Sequence, residues 1–283
     1  MAFRIYRSHE SIFIENAESP GVFRLAQPEF SFDDLFSSSD PQSFVRNAFD
    51  DVAPCDSMKS ESPLQPPIGQ QEVWASGVTY FRSRTARMEE AETAGGDVFY
   101  DKVYDAERPE LFFKSSANRV RGHLAKVGIR SDSTWDVPEP EFTLAISSKG
   151  NIFGYTIGND MSSRSIEGEN PLYLPQAKSY TGACSLGPCL VVGEAAAPDT
   201  GIEITIKRDG LEIFSGQTAI DQIKRSFEEL AGFLFRCNEF ANGAYLMTGT
   251  GIVPDSDFTL QVDDEISITI AGIGTLTNTV EKV

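Results

Sequence analysis

The chain has 283 residues, 40% of them hydrophobic, which is enough for a packed core that folds alone. Against 24 Lys and Arg stand 42 Asp and Glu, a formal charge of −18 that would repel phosphate backbones and anionic lipid, so nucleic acid and membrane are not expected partners. No apolar run reaches the roughly 18 residues of a membrane span, and MAFRIYRSHESIF lacks the apolar stretch of a signal peptide, so the expected location is the cytoplasm.

Residues 1 to about 60 carry short alternating segments, Phe3 and Ile5, then Ile12 and Ile14, followed by the polar FSSSDPQSF. They read as a small β-rich N-terminal domain. The stiff SPLQPP segment, Ser62 to Pro67, reads as a linker, dividing the chain into 1–66 and 67–283. From Arg82 to about Glu107 the chain is strongly charged, with MEEAE and a Gly95-Gly96 break, and predicts a helix, loop and helix able to serve as a lid. Strands then dominate: FTLAIS, FGYTIGN, LVVGE, IEITIKRDGLEIFSG with an Asp209-Gly210 hairpin turn, and EISITIAGIGTL. Between them Ile220, Ile223, Phe227, Leu230 and Leu234 recur at steps of three and four and predict one amphipathic helix. The class is α+β with a mixed β core. The cysteines, Cys55, Cys184, Cys189 and Cys237, have no CxxC spacing and read as reduced and mostly buried.

Chemistry concentrates in PEPEFTLAI, Pro138 to Ile146. Period-two geometry puts Glu139, Glu141, Thr143 and Ala145 on one face of a strand and Phe142, Leu144 and Ile146 on the other. In GYTIGND the same rule groups Gly154, Thr156, Gly158 and Asp160. Three carboxylates that share a pocket repel one another unless a cation neutralises them, and an all-oxygen set suits Mg2+, Mn2+ or Ca2+ over Zn2+. The competing reading is three surface acids on half-exposed strands. Pro140 speaks against it, because it removes a backbone donor between the two glutamates, which a plain central strand would not tolerate.

Glu139-Pro140-Glu141, GYTIGNDMSSR, Lys178 ahead of GACSLGP, the TGTG of residues 248 to 251 and the terminal GIGTL, in this order over about residues 72–283, resemble the fumarylacetoacetate hydrolase superfamily. The resemblance implies a mixed β-sheet roll, Mg2+ held by Glu139, Glu141 and Asp160, Lys178 at the keto-acid end of a substrate, and Thr248, Gly249 and Thr250 as a substrate-binding loop. It implies a homodimer or homotetramer as well. Carbon-carbon hydrolases of the family carry a water-activating His after a motif like G-x-N-Y-x-x-H. Here Gly77-Val78-Thr79-Tyr80-Phe81-Arg82-Ser83 puts Ser83 in that place. Of the two histidines, His9 and His123, the latter sits in RVRGHLAKVGIR outside the lid and reads as structural. Ser165 stands where the family usually has an aspartate, which puts any supporting role of that position in doubt.

GVTYFRSR, YDKVYDAERPELFFK, NRVRGH, RSDSTWDVPEPE and EGENPLYLPQAK are similar to the branch that dehydrates 2-keto-3-deoxy-D-arabinonate to 2,5-dioxopentanoate. On that resemblance the small-molecule substrate is a 2-keto acid. Lys178 is expected to hold the developing enolate or act as base, and Glu110 to carry a proton. Arg84 is a candidate for the substrate's hydroxyls or carboxylate. An acylpyruvate-type hydrolase or decarboxylase and a non-catalytic sugar-acid binder are the alternatives.

Overall fold

The computed structural model describes residues 1–55, 63–80 and 103–283. Strand β1 spans Phe3–Arg7, β2 Ile12–Asn16, β3 Phe23–Leu25, β4 Glu72–Gly77, β5 Glu110–Ser115, β6 Lys126–Ile129 and β7 Asp136–Ile146. Strand β8 spans Ile152–Ser163, β9 Cys184–Val192, β10 Gly201–Arg208, β11 Leu211–Ala219, β12 Ala244–Met247, β13 Glu265–Ile270 and β14 Gly274–Lys282. They form a nine-stranded sheet in the order β3-β2-β1-β9-β8-β7-β12-β4-β5 and a five-stranded sheet in the order β11-β10-β13-β14-β6. The pairs β12–β4 and β14–β6 are parallel and the others antiparallel, which makes the core mixed as the sequence predicts.

All eleven residues of β7 are buried, because the strand is covered on both faces. Phe142, Leu144 and Ile146 enter one apolar cluster with Ile202, Ile204, Ile266 and Ile268 of the second sheet. Ala145 enters the other cluster, with Phe3, Ile5, Phe36 and Tyr245. Phe142 stacks on Phe227 at 5.3 Å between ring centroids and tilts against Tyr155 at 5.1 Å. Each such buried aromatic contributes on the order of 2 kcal/mol in apolar burial alone. The helix Phe227–Phe235, capped by Ser226, lays Leu230 and Leu234 on the same cluster.

That helix is shorter than the periodicity predicts. Ile220–Gln222 is a separate 3-10 turn, and the chain is extended at Ile223, where Tyr80 bridges Ile223 and the Lys224 amide donates to the Thr79 carbonyl at 3.0 Å. Contacts with the strand-like Thr79–Tyr80 segment outcompete helical bonding there. The N-terminal region also holds two helices that the sequence reading lacks, Phe32–Ser37 and Pro41–Asp50, capped by Ser31 and by Asp40 with Pro41 behind it. Strand β1 lies along β9, and the Gln65 amide donates to the Arg7 carbonyl at 2.8 Å, so strands from both sides of the 66/67 division share one sheet. The charged 82–107 segment lies mostly outside the described residues. Among the described residues no helix is long and apolar enough to cross a membrane.

Candidate active site

Strands β7 and β8 pair so that Glu139 faces Asp160, Glu141 faces Gly158 and Thr143 faces Thr156. The faces anticipated from alternation therefore coincide. Gly158 has to be small: a Cβ there would collide with Thr143 and lie 2.9 Å from the Met247 methyl. The Phe142 carbonyl accepts from Thr248 and so points toward β12, and Pro140, two residues earlier, shares that orientation. Since β12 pairs only with Thr143–Ile146, the missing N–H of Pro140 would have pointed beyond the end of β12, and no ladder bond is lost.

The carboxylates of Glu139, Glu141 and Asp160 each offer an oxygen within 4.8 Å of the other two, and all three residues are buried. Cations surround two of them. Lys178 Nζ donates to Glu139 Oε2 at 2.6 Å and Asp160 Oδ2 at 3.2 Å, Arg164 donates to Glu139 Oε1 at 2.5 Å, and Lys114 pairs with Asp160 Oδ1. Burial alone would push the Asp160 carboxyl up, but Lys114 and Lys178 outweigh it and hold the group below the usual carboxylate range. Glu141 differs. Among the described residues its carboxylate accepts one hydrogen bond, from the Gly249 amide at 2.5 Å, and has no ion-pair partner. Burial, then the charges of Asp160 and Glu139, push its carboxyl well up. A buried carboxyl group with no ion-pair partner among the described residues, completing an all-oxygen set, fits a hard divalent cation.

Around these acids, Ser76, Gly77, Val78, Phe112, Gly249 and Thr250 wall a small pocket. Gly249 has φ +92, and a Cβ on it would collide with the Thr79 hydroxyl and lie 3.0 Å from the Ser76 carbonyl. The Thr248–Thr250 loop is thus fitted onto β4. Thr79 Oγ1 donates to the Thr248 carbonyl at 2.6 Å, Thr248 Oγ1 to the Phe142 carbonyl at 2.8 Å, and Thr250 Oγ1 to the Ile252 carbonyl at 3.2 Å. Glu110 opens β5 opposite Gly77, and its carboxylate packs over the Gly77 Cα where a Cβ would stand, behind a residue that lines the pocket. Arg84 and Ser83 lie outside the described residues. His123 is away from the pocket: its Nδ1 accepts from the Thr277 amide at 3.1 Å, and burial lowers its pKa. His9 borders a surface groove on the N-terminal strands.

Two site residues were not singled out from sequence. Lys114 ends the FFK of β5, where alternation alone makes it one more exposed lysine, yet it is 1% exposed. Arg164 closes the SSR of GYTIGNDMSSR, where nothing local marks it as a site residue, yet it is 2% exposed and bonded to Glu139, with its Nε 3.9 Å from Glu167.

The chain is 48% identical over 219 residues to a protein of Haloferax volcanii named "Probable 2-keto-3-deoxyxylonate dehydratase", covering 77% of this chain and 74% of that one. It is 44% identical over 219 residues to the 2-dehydro-3-deoxy-D-arabinonate dehydratase of Saccharolobus solfataricus, covering 76% and 74%. A solved 2-keto-3-deoxy-D-arabinonate dehydratase complexed with magnesium and 2,5-dioxopentanoate superposes with a TM-score of 0.81 at 33% identity, covering 100% of this chain and 99% of that one. A fumarylacetoacetate hydrolase of Exiguobacterium antarcticum, at 21% identity and a TM-score of 0.71, shares the fold. Residues 78–281 match the family described as fumarylacetoacetate (FAA) hydrolase, C-terminal, and on that match and these identities the chain belongs to the fumarylacetoacetate hydrolase family.

Proposed function

We propose that this chain is a Mg2+-dependent hydro-lyase that converts 2-keto-3-deoxy-D-arabinonate to 2,5-dioxopentanoate. The observation that carries the reading is the buried Glu139, Glu141 and Asp160 cluster, with Glu141 in no ion pair among the described residues, in a chain similar across three quarters of its length to dehydratases. The two substrate names of those relatives converge chemically. Xylonate and arabinonate of one series differ only at C2 and C3, and a ketone at C2 with a methylene at C3 removes both stereocentres. Only C4 is left to recognise.

Glu139, Glu141 and Asp160 would hold Mg2+, with Mn2+ or Ca2+ as substitutes. Bound there, the ion supplies the Lewis acidity that makes protons beside a ketone easier to remove. Lys178, held between Glu139 and Asp160, offers an N–H donor to the C2 oxygen as charge develops on it. Glu110 carries the protons: it takes one from C3 and returns it to the C4 hydroxyl, which leaves as water. A proton then leaves C5 and another is added at C3, and the resulting C4–C5 enol takes a proton at C4 as its hydroxyl gives one up, so the remaining alcohol carbon becomes the aldehyde. The Thr248–Thr250 loop orients the acid end, and Arg84 is proposed to bind the substrate's hydroxyls or carboxylate. The chain acts as a homodimer or homotetramer in the cytoplasm on this reading.

The Ser83 that stands in place of a lid histidine favours dehydration over carbon-carbon hydrolysis. The test is a panel of 2-keto-3-deoxy pentonates and hexonates with Mg2+, assayed for a semialdehyde product beside acylpyruvates. Water loss from the D-pentonate is expected; acylpyruvate cleavage without dehydration would overturn the assignment.

A further inference from the structure

The site contains two fully buried lysines, and hydrogen-bond valence separates their roles. An ammonium has three N–H donors. Lys114 Nζ has three partners: it donates to the Met161 carbonyl at 2.9 Å and the Lys178 carbonyl at 2.5 Å, and it forms an ion pair with the carboxylate of Asp160. Lys178 Nζ has two, on Glu139 and Asp160, and lies 5.8 Å from the ring of Phe112, a pocket-wall residue. Lys114 is therefore saturated and has no donor for a substrate. Lys178 keeps one.

We propose that Lys114 is the positioning residue of this site: it locks Asp160 in its ligating rotamer and ties down the backbone of Lys178, leaving that lysine one donor for the keto acid. Three features support the assignment. Lys114 reaches the site from β5, at the edge of the large sheet, whereas Asp160 and Met161 belong to β8 and Lys178 ends the helix Leu174–Lys178. One ammonium thus joins three elements, beside the Ser179 hydroxyl that donates to the Phe113 carbonyl at 2.9 Å and the Lys178 bond to Asp160. It pairs with one oxygen of Asp160 while Lys178 pairs with the other, which opposes rotation of the carboxylate. Its bond to the Lys178 carbonyl also satisfies one of the open carbonyls at that helix end. The role rests on the dehydratase reading above.

The test is a cycle of Lys114→Met, Lys178→Met and the double variant, with Mg2+ affinity of the substrate-free enzyme measured by calorimetry beside kcat, KM and thermal melting. Loss of a partner that orients a ligand typically costs about 10- to 100-fold in metal affinity, and that loss is expected for Lys114→Met. In turnover the double variant should fall no more than about threefold below Lys178→Met, because residues that act through one another are not additive. Should Lys114→Met fail to fold, Lys114→Gln is read by the same two criteria. Mg2+ affinity within about threefold of the parent, or kcat losses that multiply, would overturn the role. A parent enzyme that neither binds Mg2+ nor dehydrates sinks the dehydratase reading instead.

Discussion

Glu141→Gln should make the metal-free protein more stable while abolishing its response to Mg2+. At 4.8 Å or less, Glu141 meets each of the other two acids with a repulsion of about 3.5 kcal/mol at an effective dielectric of about 20. Lys178 offsets about one of these, and proton uptake by Glu141 relieves part of the other, so the net gain on substitution is on the order of 2 kcal/mol. For a chain of this size that is a rise in Tm of roughly 4–8 °C. The glutamine oxygen can still accept the Gly249 amide. The pH dependence has a definite sign. A carboxyl whose folded pKa is raised contributes stability that is full below its unfolded pKa and is lost as pH rises through the folded value. The advantage of Glu141→Gln should therefore be largest at pH 8 and shrink as pH falls toward the ordinary carboxylate range. Melting curves in EDTA and in excess Mg2+ at several pH values measure it, and saturating Mg2+ at about 100 times Kd should raise the parent alone by about 2.7 kcal/mol. A metal-free Glu141→Gln protein less stable than its parent at pH 8 would refute the electrostatic argument.

Gly249→Ala combines a positive φ with a collision against Thr79, so it should cost more than about 2 kcal/mol in urea unfolding and weaken Mg2+ binding through Glu141; a variant with parental stability would show that the loop relaxes freely. Iodoacetamide at pH 8 should label exposed Cys237 and spare Cys184 and Cys189, whose thiols burial pushes up to about 12; mass spectrometry that finds all of them modified at similar rates contradicts that burial. With a formal charge of −18, the protein should melt at higher temperature as KCl rises from about 0.05 to 1 M, since screening relieves self-repulsion; a flat or falling curve would show that the acids are already well compensated.

The metal ligands were legible because a strand has only two faces. Once Glu139 and Glu141 share one with Thr143, the register to Asp160 follows from small residues such as Gly158 that leave room for it. The Asp209-Gly210 turn was legible for a similar reason: both residues adopt positive φ, at 52° and 78°, which that dipeptide tolerates. Lys114 was not, because nothing local distinguishes a lysine at an exposed edge from one that a neighbouring helix covers. The helix boundary at Ser226 was missed because apolar periodicity reports burial of Ile220 and Ile223 but not the strand contact of Tyr80 that keeps them out of the helix. The helix at Pro41 had a readable signal in Asp40-Pro41, an N-cap followed by a first-turn proline, hidden within a run of polar residues.

All three acids reside on one antiparallel hairpin, β7 and β8, whereas the pocket wall is assembled from the ends of β4, β5 and β12. The acids that would hold a cation and much of the wall around them thus come from separate stretches of chain. The architecture is consequently an evolvable one, in which a change of substrate requires a new rim on an unchanged floor.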